Sequence, residues 1–410
     1  MPPKPLRPSE LADLLVWLGE LLLEYGCPTH RLENCLRYTA EQQGLVAEVF
    51  AVPTGLWMSL EQPGGEPLVR LVRVQRWAIR LDRLAELDEA FNAVADGRLS
   101  PEDASIWLDA LEEAPATHGP LRGILAGGLA SASAAVVFGG GWLMAALGLA
   151  LGLANMGLGH LLGKAQRTRL LVDFMAGVLV GGAAWLAAVI DPTLPRKPLV
   201  LAGIITNVPG LTLTSGLAEI AWKNLVSGTA RLLDAAMVLL SLLFGVGMMA
   251  TLEQWVHPDH AVALLGGDET PLWALALAAV VASWAFTVLF SVGRRDALAA
   301  LGAAMVAWAA SLLTSRVGVP GAAAAFAGAI VCGLYANVFA RLTDRPAQVV
   351  LVPGIVMLVP GAFGFVSFEQ VVWGNVAAGT TGLMQTLLIA GALVIGLLLA
   401  NAALPPRKIM

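Results

Sequence analysis

The stretch GIITNVPGLTLTSG at residues 203–216 has a counterpart, GIVMLVPGAFGFVS, at residues 354–367. The two lie 151 positions apart, and at that shift the chain aligns with itself without a gap from Gly203 to Gly245. Gly203-Ile204 matches Gly354-Ile355, Val208-Pro209-Gly210 matches Val359-Pro360-Gly361, and Trp222-x-Asn224 matches Trp373-x-Asn375. Gly228-Thr229 matches Gly379-Thr380, while Leu232, Leu242 and Gly245 match Leu383, Leu393 and Gly396, giving 12 identities in 43 positions. Chance supplies a few of these in a chain rich in Ala, Leu and Gly, but not the shared Trp, Asn and Pro-Gly. Upstream, Gly177, Val180 and Gly182 match Gly328, Val331 and Gly333. The sequence is an internal duplication.

The duplicated part is apolar. Of 410 residues, 57% are hydrophobic and 13% charged, against about 25% charged in a soluble globular chain. Residues 1–118 carry charge at ordinary density; from Gly119 onward Ala, Leu, Gly and Val dominate. A span needs ~20 mostly apolar residues, and ten candidates are centred near residues 130, 152, 180, 208, 240, 281, 305, 328, 356 and 392. The expected fold is a polytopic α-helical membrane protein of ten spans. Two five-helix repeats, 119–254 and 255–410, follow a small α+β domain at 1–118.

Five spans per copy make the second copy enter the bilayer upside down. Lys and Arg set the orientation. With the N-terminal domain cytoplasmic, inside loops hold Lys164, Arg167, Arg169, Lys223, Arg294, Arg295, Arg341, Arg345, Arg407 and Lys408. Outside loops hold only Arg196, Lys197 and Arg316. The 253–270 loop has Glu253, Asp259, Asp268 and Glu269 and no basic residue, so it belongs outside. Lys223, inside, is replaced by Gly374 at the matching outside position. Both termini are expected in the cytoplasm. Inverted repeats with broken helices are the usual build of secondary transporters.

In the N-terminal domain the spacing predicts a helix over 9–25, with Ser9 as cap and Gly26 as stop, and a second from Thr29 to about Gln43. Residues 46–61 and 67–75 read as a two-stranded hairpin around Gln62-Pro63-Gly64-Gly65. Helices near 81–96 and 101–113 follow, the last started by Ser100-Pro101-Glu102. The order is ααββαα. Cys27, His30 and Cys35 lie close together, but the spacing fits no zinc pattern and a fourth ligand is lacking. They read instead as a helix start capped by Thr29, with two cysteines packed as small apolar residues and Arg31 and Glu33 on a solvated face. No signal peptide is visible. The net charge of −5 gives no reason to expect nucleic acid, and no motif calls for a cofactor or metal.

Proline removes a backbone donor and clashes with the preceding turn, and glycine lets the chain bend. Pro209-Gly210 and Pro360-Gly361 should therefore interrupt the fourth and ninth spans. Freed backbone groups are tolerated only against protein or a water-filled cavity, so the polar pathway is expected where the two breaks meet. Candidate lining is Thr206, Asn207, Thr212, Thr214 and Ser215. The second copy is more apolar, with Met357, Leu358 and Phe363. Asn224 and Asn375 either cap the following helices or bind ligand. Ionisable residues within spans are functional suspects: Asp173 and Asp234 are candidates for proton coupling. Asp234 reads equally as an ion-pair partner of Arg231 on the same helical face, and His160 as interfacial. No His-Glu-x-x-His, Gly-x-Ser-x-Gly or P-loop supports an enzyme or an ATP-driven pump.

Several of these segments resemble one family. Tyr25-Gly26-Cys27-Pro28-Thr29-His30-Arg31-Leu32-Glu33 is similar to the Gly-x-x-x-x-Arg-x-Glu opening of the threonine/serine exporter family. Ser227-Gly228-Thr229-Ala230-Arg231 after a Val-Pro-Gly span, and LVPGIVMLVPG at 351–361, resemble it too. The resemblance covers about residues 10–400. It implies a bacterial inner-membrane exporter of threonine and serine driven by the proton motive force, with a ten-span membrane part and a cytoplasmic N-terminal domain. Some relatives split the modules and resemble succinate-type dicarboxylate exporters. Where the family often has Met-x-Leu before the first Pro-Gly, Ile205-Thr206-Asn207 stands here, which adds polarity. The N-terminal domain could gate the cytoplasmic mouth, bind a regulator or hold a homo-oligomer together; its residues do not choose.

Overall fold

The computed structural model describes residues 8–406 apart from 63, 76, 165–167, 169–170 and 258–268. Pro63, Arg167, Arg169, Asp259, Asp268, Arg407 and Lys408, used in the expectations above, lie outside the described residues.

The chain begins with α1 (Pro8–Glu24) and α2 (Thr29–Gln42). Gly26 ends α1 at φ 94°, a left-handed conformation that a side chain disfavours. Three strands follow: β1 (Val46–Val52), β2 (Gly55–Glu61) and β3 (Leu68–Arg73), antiparallel in the order β1-β2-β3. The expected two-stranded hairpin is corrected to three strands. Pro53 and Thr54 turn the first stretch back on itself, so that Val52 pairs with Gly55. Proline fits this turn because it needs no ladder donor there. α3 (Leu81–Ala95) and α4 (Pro101–Glu113) complete the segment. The Ser100 hydroxyl caps α4 by accepting from the Asp103 N–H at 3.1 Å.

The apolar part contains α5 (Pro120–Val137), α6 (Trp142–Leu162), α7 (Val172–Ile190), α8 (Arg196–Ile204), α9 (Gly210–Ala221) and α10 (Leu225–Val256). Then come α11 (Leu272–Leu289), α12 (Ala297–Arg316), α13 (Gly321–Thr343), α14 (Gln348–Val356), α15 (Gly361–Val372) and α16 (Val376–Ala403). Among the described residues eight helices are long and apolar enough to cross a membrane, or nine if α14 and α15, bent by 43° at their break, form one span. The expected span near residue 208 is present as two short helices, α8 and α9, outside that set.

Element bounds recur at the sequence offset. Adding 151 to α9 gives 361–372, the bounds of α15, and adding it to the start of α10 gives Val376, the start of α16. Lys223 and Gly374, 151 apart, both turn the chain with positive φ, 67° and 87°. Small residues let the helices approach. A methyl on Gly245 would meet α7 backbone at Phe174 and Val178, and one on its counterpart Gly396 would meet the Phe326 carbonyl at 2.8 Å. Close backbone approach through glycine is how helices associate where lipid supplies no hydrophobic drive.

The N-terminal segment is not separate from this bundle. Its core (Leu15, Leu18, Leu36, Leu56, Leu87) continues into Val292, Ala300, Ala303, Ala347, Val349 and Val350. Backbone bonds tie the seam: Leu81 N–H donates to the Phe290 carbonyl at 3.0 Å and Asp82 N–H to that of Ser291 at 2.8 Å. On the same side Arg345 pairs with Asp296. Elsewhere Arg196, at the start of α8, pairs with the buried Glu253 near the end of α10 at 3.1 Å.

Candidate functional site

The two helix breaks meet. α8 stops at Ile204 and α9 starts after Pro209; α14 stops at Val356 and α15 starts after Pro360. A methyl on Gly210 would lie 3.2 Å from Gly361 Cα, and one on Gly361 3.2 Å from Gly210 Cα. Each would also strike a valine of the opposite motif, Val359 or Val208. The Val-Pro-Gly segments thus interlock with little side-chain volume between them.

A polar chain runs out from the first break. Asn155 of α6 donates to the Asn207 side-chain oxygen at 2.7 Å and to the Gly203 carbonyl at 2.9 Å. Asn207 donates to Asp173 at 3.4 Å, and the Thr206 hydroxyl lies 3.2 Å from the Asn207 oxygen. So α6, α7 and the break share one hydrogen-bonded line. Residues 151 further on are Val306, Leu358 and Ala324. The second break therefore has no such line, and the site is asymmetric. Thr214 donates to the Gly210 carbonyl of its own helix at 3.1 Å, and Thr212 and Ser215 are half-buried.

The remaining expected residues do not gather there. Asp234 is exposed on α10. It makes no ion pair with Arg231 among the described residues; Arg231 is buried and lies 6.0 Å over the Trp77 ring. His160 is exposed at the end of α6. Asn224 and Asn375 occupy N-cap positions without making side-chain caps, so the capping alternative is corrected. Asn375 is exposed, and Asn224 reaches elsewhere.

What Asn224 reaches is a second polar cluster, at the junction with the N-terminal segment. Glu219 of α9, 1% exposed, accepts the Thr29 N–H and the Thr29 hydroxyl, each at 2.8 Å. His30 Nδ1 lies 3.2 Å from the same carboxylate, and its ring stacks on Trp222 at 5.1 Å and 9°. Asn224 donates to the Thr29 hydroxyl at 3.0 Å. Ser227 donates to the Ala51 carbonyl at 3.2 Å, and Ala51 N–H donates to Glu33 at 2.9 Å.

Two readings are corrected here. Thr29 is the first helical residue rather than the cap, and a carboxylate from α9 takes the free N–H of α2. Glu33 pins β1 instead of facing solvent. Burial pushes the Cys27 thiol up to about 12 and raises Cys35 as well. No group of three metal-ligating side chains gathers among the described residues.

Sequence reasoning missed Asn155 and Glu219. Asn155 is the one amide in an otherwise apolar α6, and it shares a buried helical face with Gly148 and Gly152; that was its signal. Glu219 is the one acid in the otherwise uncharged α9; that was its signal.

Residues 13–253 match a family model described as "Putative threonine/serine exporter", and residues 275–403 match one described as "Threonine/Serine exporter". A threonine/serine exporter of Corynebacterium glutamicum is 24% identical over 98% of this chain and 85% of its own length. A Mycobacterium tuberculosis protein named as a threonine/serine exporter is 26% identical over 98% of this chain and 78% of its own. Pheromone-regulated membrane protein 10 of Eremothecium gossypii is 24% identical over 85% of this chain and 49% of its own. No solved structure matches.

Proposed function

From its membership of the threonine/serine exporter family, to which this chain belongs, we propose that the protein is a ten-span secondary exporter of small polar amino acids of the threonine and serine kind. In this reading α8–α9 and α14–α15 are two broken spans of oppositely inserted repeats. The N-terminal segment lies in the cytoplasm of a bacterial cell, and solute passes where the Pro-Gly breaks meet.

The observation that carries the reading is the contact of Gly210 with Gly361 beside the Asn155–Asn207–Asp173 line. Half-helix ends and unwound backbone around such a point bind the carboxylate and ammonium groups of small solutes in transporters built from inverted repeats. Thr206 and Asn207 offer hydroxyl and amide groups that suit a hydroxy-amino acid. Asp173 is the coupling group: a carboxyl in a span can change charge as the site turns from one side to the other. The orientation is supported by the N-terminal segment seating against the 290–292 turn and against α14, near the basic loops assigned inside.

The test is efflux of labelled threonine from proteoliposomes under an imposed proton gradient. Threonine and serine should compete and succinate should not; the reverse would favour a dicarboxylate substrate. Asp173→Asn should lose gradient-driven accumulation by at least about tenfold while retaining threonine–threonine exchange. Accumulation that persists in the variant removes Asp173 from coupling.

A further inference from the structure

Between α15 and α16 lies an open groove of about 510 Å³, lined by Phe363, Ser367 and Gln370 on one side and Thr381 and Gln385 on the other. Its size falls in the range of small-ligand sites. The side-chain amides of Gln370 and Gln385 make no hydrogen bond among the described residues. Unpaired amides are costly in hydrocarbon, so a groove that presents two of them requires water or a polar occupant.

The sequence offset gives the groove a twin. Subtracting 151 carries Gln370 to Glu219, Ala378 to Ser227 and Gly382 to Arg231. These three residues, between α9 and α10, are among the points where the N-terminal segment meets the bundle. Glu219 accepts from Thr29 and faces His30, Ser227 donates to the Ala51 carbonyl, and Arg231 lies over the Trp77 ring. Equivalent clefts in the two copies are therefore treated oppositely. In one, the N-terminal segment donates to the Glu219 carboxylate and sets Trp77 against Arg231; the other has no charged side chain in its lining, offers two amides and two hydroxyls among apolar residues, and stands open.

We propose that the α15–α16 groove is a vestibule for a small polar solute bearing both a carboxylate and an ammonium group, and that the N-terminal segment is the stopper of its counterpart between α9 and α10. The neutral amides of Gln370 and Gln385 accept from an ammonium and donate to a carboxylate without trapping either, while the Ser367 and Thr381 hydroxyls, which donate to carbonyls of their own helices, serve as acceptors. Passage through the stoppered cleft requires Thr29 and His30 to leave Glu219. The identity of the solute rests on the exporter reading above; the paired clefts do not.

The experiment uses the full chain in proteoliposomes with single added cysteines, the wild type with its three buried cysteines serving as the blank. Thr381→Cys should react with a charged, hydrophilic thiol reagent, and threonine should slow that reaction at least threefold. Gln385→Cys repeats the measurement from a second position. Reaction only with a lipid-soluble maleimide would mean a groove filled by lipid and would overturn the vestibule. Ser227→Cys, nearly isosteric at a site 2% exposed, should label at the blank rate at rest and at least fivefold faster during threonine turnover. Turnover with no rise in labelling would overturn the stopper. Protection at Thr381→Cys without net transport keeps the vestibule and sinks the exporter reading. Transport without protection does the opposite.

Discussion

Glu219 shows how much one side chain can hold. It lies on α9 yet completes the first turn of α2, a helix that begins 190 residues earlier. Glu219→Ala leaves the Thr29 N–H buried without an acceptor, and buried unsatisfied donors cost about 1–3 kcal/mol. Thermal unfolding in detergent should show that loss, with Glu219→Gln recovering part of it because an amide oxygen still accepts one bond. Asp82 adds a pH dependence at the same seam. Burial raises its carboxyl, but hydrogen bonds from Arg80 and Thr117 outweigh burial and hold it below the usual carboxylate range. Its contribution is therefore complete above the ordinary value of about 4 and is lost as pH falls through the lower folded value. Asp82→Asn should be less stable than wild type at neutral pH, and the two stability curves should converge in acid as the pH falls below the lowered folded value. Parallel curves would show that Asp82 does not titrate as described.

At the scale of elements, glycine sets how closely the helices lie. A methyl on Gly177 would run into the Leu242 carbonyl and come within 3.1 Å of Gly245 Cα, whereas nothing lies within 4 Å of one on Gly391. Gly177→Leu should therefore cost about 1–3 kcal/mol by overpacking and lower the aggregation temperature, with Gly391→Leu as the tolerated control. Equal effects from both would mean the α7–α10 approach is not tight. Most elements were legible beforehand because their signals are local: span windows, Ser100-Pro101 before α4, and the Pro-Gly breaks. The division into β1 and β2 was not, since Pro53-Thr54 turns the chain without the Asn-Gly or Gly-rich signature that marks a short hairpin. Nor was the cap of α2, because the Pro28-Thr29 context points to a local oxygen and the acceptor comes from a helix far along the chain. Asn224 misled for the same reason: its place before α10 suggested a cap, and tertiary contact drew its amide to Thr29.

For the molecule as a whole, the contact between the N-terminal segment and the bundle matters as much as the duplication. A composition boundary at residue 118 invites removal of everything before it. The shared core through Val292, Val349 and Val350 argues against that. Cutting before Gly119 would expose those side chains, and exposed apolar patches drive association. The truncated chain should elute from size-exclusion chromatography in detergent as aggregate. A monodisperse, transport-competent fragment would show the two parts to be independent. The duplication could be read from Trp, Asn and Pro-Gly alone, but the unequal fates of the two copies could not. Asn155, Asn207 and Asp173 in one and Val306, Leu358 and Ala324 in the other become meaningful only once three helices converge.

The touching glycines at 210 and 361 carry a consequence for how such a chain can vary. At many other positions the two halves differ, as where Asn207 and Asp173 in one stand opposite Leu358 and Ala324 in the other. At this pivot neither half can change by itself, because enlarging either residue intrudes on its own twin. Substituting alanine at one position and then at both should give penalties that do not add, which would make this spot a shared hinge pin of the duplicated architecture.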